Sequence, residues 1–188
     1  MRWIVGSVLA GLAMFTWGAI SHMALPLGTM GMRGVPADRE VAVVDAMKGA
    51  MTDRAIYMFP SFDPDRPMTQ AETDAYAAKL SKGPTGLVVY NPGPGAVFGP
   101  GLLLMELLTN ILSCLVAAWV LLRIAPATGF LERAAVVAAF GAFATLSIEA
   151  SYWNWYKFPA SYFAAQAIDQ IVGAFLAGLV LAAIVKRA

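Results

Sequence analysis

Four long apolar stretches interrupted by one polar insertion predict the architecture of this chain. Hydrophobic side chains run almost unbroken from Trp3 to Leu25, Phe98 to Ile124, Phe130 to Ala150 and Ala160 to Val185. Each stretch reaches the roughly 20 residues that an α-helix needs to cross a hydrocarbon layer. Between the first and second, residues 26–97 hold seven of the 13 Lys/Arg and eight of the 12 Asp/Glu. The expectation is an all-α membrane protein with a four-transmembrane-helix bundle. Helix 1 would occupy residues 1–25 and helices 2–4 residues 98–188, with a small α/β extracytoplasmic module at 26–97 between helices 1 and 2. The first stretch exceeds the roughly 7–15 apolar residues of a cleaved leader, and no Ala-x-Ala site precedes Pro26, so it is expected to remain as a span.

Inside the insertion the periodicity changes. Val41, Val44, Met47, Lys48 and Met51 recur at helical intervals, which predicts an amphipathic helix over Arg39–Met51 with Asp38 as its N-cap. Ala55–Phe59 is short, apolar and aromatic and ends at Pro60, as a strand does. Thr69 with Glu72 three residues later is a capping-box signature, opening a second helix that runs to Lys82 before Gly83-Pro84. Gly86–Tyr90 is a second strand, followed by the stiff connector Asn91-Pro-Gly-Pro-Gly95. Two strands alone are marginally stable, so the module is expected to lean on the bundle or on a neighbouring chain. Asp63 and Asp65 read as turn residues, because their loop lacks the Gly and Glu of an EF-hand.

Composition narrows the class further. Of 188 residues 13% are charged, where soluble domains carry about a quarter, and mean hydropathy is +0.66. A net charge of +1 with no basic block offers nothing to nucleic acid. The lone Cys114 excludes an internal disulfide and any CxxC motif. Arg2, Arg123, Arg133, Lys186 and Arg187 flank one side of the spans, and the connection between spans three and four offers only Lys157 on the other. The positive-inside rule then places both termini in the cytoplasm and residues 26–97 outside. Tyr152-Trp153-Asn154-Trp155-Tyr156 falls at the outer boundary, where aromatic belts occur. Gly173/Ala177 and Ala174/Gly178 on span four, and Ala138/Ala142 on span three, have the small-xxx-small spacing that lets helices approach closely.

Against this apolar background the polar residues stand out. His22, Glu106 with Asn110, Glu149, and Gln166 with Asp169 and Gln170 all fall near the outer ends of their spans. From the helix rise, Glu106 lies about 12 Å deep and Asn110 about 18 Å, four residues apart and on one face. Ionisable groups in hydrocarbon are costly, face the bundle interior and mark structural contacts or function. The bland reading is a cross-linking polar layer. Another is a metal site, with Glu106, Asp169 and His22 as the first candidate ligands and Glu149 beside them. A copper variant draws on His22, Met23, Met30 and Met32, since thioethers select Cu(I). No Glu-x-x-His or His-x-x-x-His spacing supports either. A proton, ion or polar-substrate path is the third reading, opposed by the apolar inner halves of all four spans. No nucleophile elbow and no phosphate-cradling loop is present, and the pattern specifies no catalytic group and no cofactor.

The string Tyr152-Trp-Asn-Trp-Tyr-Lys-Phe-Pro159, with Ser161-Tyr162, the Asp169-bearing span, and Trp17 and Leu25-Pro26 in the first span, resembles a family of small four-span bacterial inner-membrane proteins. The resemblance implies a bacterial plasma-membrane location and four spans, and it transfers no functional residues. The expected role is a non-catalytic accessory or assembly subunit of a larger inner-membrane complex, its partners the bilayer and other membrane subunits or a second copy. The competing class is a metal- or ion-handling membrane protein, an enzyme among them, that uses the polar layer.

Overall fold

The computed structural model describes residues 1–95, 98–124 and 128–185. In chain order its elements are α1 (Arg2–Ala19), α2 (Ala37–Ala50), β1 (Ala55–Phe59), α3 (Gln70–Lys82), β2 (Gly86–Tyr90), α4 (Pro100–Leu121), α5 (Phe130–Ala144), α6 (Ala150–Trp155) and α7 (Ala160–Ile184). A π-helical turn at Ile20–Ala24 prolongs α1, and another at Thr145–Glu149 joins α5 to α6. Among the described residues four rods are long and apolar enough to cross a membrane: Arg2–Ala24, Pro100–Leu121, Phe130–Trp155 and Ala160–Ile184. The third runs past the expected end at Ala150, so Tyr152–Trp155 ride on helix.

Local chemistry sets the helix ends. Pro26 forces the preceding Leu25 into extended geometry and stops the first rod. Gly99 caps α4 and Pro100 fills its first position, where a missing N–H costs nothing. The Glu132 carboxylate accepts the Gly129 N–H at 2.8 Å and closes the start of α5. Between α6 and α7, Lys157 takes a left-handed conformation (φ 58°), and the Tyr152/Phe158 and Phe158/Tyr162 ring pairs hold that turn. Arg133 reaches from α5 to the Val185 carbonyl, while Lys186 and Arg187 lie outside the described residues.

The chain forms two compact units, Met1–Arg33 with Val97–Ala188, and Gly34–Ala96. Residues 26–33 belong with the bundle rather than the insertion: Leu27 is buried, and Gly31 (φ +84°) lies so close to α7 that a Cβ would come within 2.8 Å of Tyr162. In the bundle α7 packs along α1 and α5, α1 packs along α4, and α4 barely meets α5. The rods therefore form an open series α4–α1–α7–α5. Its core is built largely of alanines, including Ala10, Ala118 and Ala177, with Leu121 and Leu181. Such small residues let helix backbones approach closely. On α7 the expected Gly173, Ala174, Ala177 and Gly178 are buried. On α5 the buried face is Ala134, Val137 and Gly141, whereas Ala138 and Ala142 are only half-buried. Gly141 decides that rotation, because its Cα rests against the Gln170 main chain, where any Cβ would overlap the carbonyl oxygen.

In the second unit β1 and β2 pair antiparallel, Ala55 opposite Tyr90 through Phe59 opposite Gly86. The capping box of α3 forms as expected, with Glu72 N–H to Thr69 Oγ1 at 3.3 Å and Thr69 N–H to Glu72 Oε2 at 2.8 Å. Asp38 is not the N-cap of α2. The helix begins at Ala37 after Pro36, so Asp38 sits in the first turn, where its charge suits the helix dipole. Asp63 Oδ1 accepts the Asp65 N–H and Oδ2 pairs with Arg66, so the first of these acids is spent on a local turn. No residue from 34 to 95 is buried.

Candidate functional site

The end of the first rod builds one wall of the site. Its π turn is closed by the Leu25 N–H to the Ile20 carbonyl at 2.9 Å. An added residue rotates the downstream segment of the rod by about 100°, and such insertions recur at functional sites. Ser21 is buried, its Oγ 3.1 Å from the Gly18 carbonyl and 2.8 Å from His22 Nδ1. His22 Nδ1 also lies 3.1 Å from that carbonyl. A carbonyl only accepts, so this contact is a hydrogen bond in the form protonated at Nδ1, which leaves Nε2 of the neutral ring as an acceptor. On its other side the imidazole is backed by Gly28, where a Cβ would fall 2.8 Å from His22 Cα and Cδ2.

His22, Glu106, Gln166 and Asp169, drawn from the first rod, α4 and α7, line a single pocket of about 450 Å³. Phe15, Met23, Phe98 and Leu103 supply its apolar wall. Trp17 Nε1 donates to the Asp169 main-chain carbonyl at 3.1 Å, pinning α1 to α7 beside the pocket. The Asp169 side chain is less well served: Oδ1 is buried with no hydrogen-bond partner among the described residues. A buried acceptor without a donor costs about 1–3 kcal/mol.

The other members of the polar layer lie elsewhere. Gln170 Nε2 donates to Glu149 Oε1 at 3.0 Å, joining the second π turn to α7. Gln170 Oε1 is buried and unpartnered, and the residue borders a second, mainly apolar cavity of about 440 Å³ that reaches Cys114 on α4 and Phe140 on α5. Asn110 is 8% exposed and lines neither cavity. Four residues advance a helix by about 400°, so Asn110 stands some 40° round from Glu106 and turns into the bundle. What reads along the chain as one layer is a pocket, a half-buried pair and a separate amide.

No protein-family model, curated protein or solved structure matches this chain. Among the described residues no three His, Cys, Asp or Glu side chains lie close enough to share a metal ion. His22, Glu106 and Asp169 face a common space without converging on one point, and of the three methionines in the copper reading Met23 borders it. Among the described residues its wall carries two carboxyl groups and no Lys or Arg. Ser21 and Gly28, which hold His22, have no distinguishing sequence pattern, and Trp17 enters the sequence reading only through the resemblance.

Proposed function

We propose that this chain is an accessory or assembly subunit of a larger complex in a bacterial inner membrane, with both termini cytoplasmic, residues 26–97 outside, and a structural rather than catalytic role. The observation that carries the reading is the insertion without a core. Val41 (73% exposed), Ile56 (65%) and Val89 (74%) present large apolar side chains, and nothing from 34 to 95 is buried. Ordering a residue costs about 1–2 kcal/mol of backbone entropy, which is normally offset by burial. A partner surface laid on these side chains supplies that burial. The Gln170–Glu149 and Trp17–Asp169 hydrogen bonds add support, since they spend polar groups on joining helices.

The test is mild detergent extraction from native membranes followed by size analysis and mass spectrometry of what co-migrates. A defined heteromer is expected, surviving Glu106→Gln but dissociating in an Ile56→Asp/Val89→Asp variant that still inserts. Recovery as a monomer or homo-oligomer alone would refute the reading.

A further inference from the structure

The pocket between the first rod, α4 and α7 has a composition that selects its occupant. Two carboxyl groups, Glu106 and Asp169, face it, and among the described residues no Lys or Arg lines the wall. Gln166 adds an amide and His22 an imidazole, whose Nδ1 is engaged by the Ser21 hydroxyl and the Gly18 carbonyl, so the carboxyl groups set the charge of the wall. An occupant that satisfies this wall brings N–H donors and positive charge. It is larger than a metal ion, because no three ligating side chains converge among the described residues, and about 450 Å³ is the size of a small-molecule site. Phe15, Phe98 and Leu103 favour an organic cation with an apolar body, and aromatic faces attract such cations.

We infer that this pocket binds the ammonium group of an alkylamine, its N–H donors directed to Asp169 and Glu106 and its carbon chain along the phenylalanine and leucine wall. This inference does not depend on the subunit reading. Two sources carry the same chemistry: a soluble alkylamine, and the ammonium headgroup of an aminolipid.

The experiment uses the full chain in phosphatidylcholine nanodiscs, whose headgroup has no N–H, and measures hexylammonium binding by calorimetry beside hexanol of equal chain length. Saturable binding of the amine is expected and none of the alcohol. Asp169→Asn and Glu106→Gln should each weaken it about tenfold or more, the size of a lost charge-assisted hydrogen bond. Asp169 stands at the α1–α7 contact, so its variant is checked by thermal melting, while Glu106 is exposed and its variant reports independently. Equal uptake of amine and alcohol overturns the proposal, as does an amine affinity unchanged by Glu106→Gln and by a folded Asp169→Asn. Repeating the titration with phosphatidylethanolamine in the discs separates the sources. Competition that lowers the apparent affinity assigns the site to an aminolipid, and an unchanged affinity assigns it to a soluble amine; both support an ammonium site.

Discussion

Glu72 faces water, yet its carboxyl is held at about 2, well below the usual carboxylate range. Arg66 contributes most through bonds of 3.0 and 2.6 Å, followed by the Thr69 N–H and hydroxyl, and the same contact raises the Arg66 guanidinium. A carboxyl with a depressed folded value stabilises its surroundings above its unfolded value, near 4.3, and that contribution is lost as pH falls through about 2. We therefore expect the first turn of α3 to hold down to about pH 4 and to fray below it. Carboxyl-detected NMR should place the Glu72 midpoint well below the ordinary glutamate value, and high salt should narrow the gap because the pair is solvated. A Glu72 midpoint near 4.3 would contradict the motif. Polar groups in the bundle obey another logic. Polar contacts of this kind are worth on average only about 0.6 kcal/mol even where helices meet in a membrane, so the Gln170–Glu149 bond supports, and does not set, the faces on which α5 and α7 meet.

At the scale of elements, those faces are set by glycine. A Cβ on Gly141 would overlap the Gln170 carbonyl oxygen and lie 2.9 Å from Ile171 Cα, backbone that cannot swing aside. Gly101, in the first turn of α4, meets nothing within 4 Å. We expect Gly141→Ala to destabilise the bundle by about 1–3 kcal/mol through overpacking, and Gly101→Ala to be neutral or stabilising by up to about 1 kcal/mol through helix propensity. Thermal unfolding in a mild detergent compares the two, and equal effects would mean that α5 and α7 are not in this register. The same contrast explains what the sequence makes legible. Both strands, the Thr69–Glu72 box and the existence of four apolar rods depend on neighbours within a few residues, and all can be read from the chain. The rotation of α5, which buries Ala134 and Gly141 in place of Ala138 and Ala142, depends on a contact 29 residues away on α7. The two π turns have no signature in residue type, so the separation of Glu149–Gln170 from the His22 pocket is visible only in three dimensions.

At the scale of the whole molecule, stability is divided unevenly between the two units. The bundle has a continuous core of alanine and leucine, close glycine contacts and interhelical hydrogen bonds. The inserted unit has a two-stranded ribbon with apolar side chains on both faces, Ile56 and Val89 on one and Tyr57 and Val88 on the other. Its helices α2 and α3 bury no residue. Cooperative unfolding requires burial that is lost all at once, and a chain of about 60 residues is already near the lower limit for a self-sufficient core. A peptide of residues 34–95 is therefore expected to show partial helicity from the capped α3 and a broad, non-cooperative thermal profile by circular dichroism. Replacing the same residues in the full chain by a flexible Gly/Ser linker of about ten residues, with a reach of roughly 16–19 Å, should leave the bundle's unfolding midpoint within a few degrees of the intact protein. A sharp transition in the isolated peptide would mean that the insertion has a core of its own and needs no partner to complete it. Collapse of the linker variant would mean that the bundle draws its stability from the insertion, and the division of the chain at residues 33 and 97 would then have no energetic meaning.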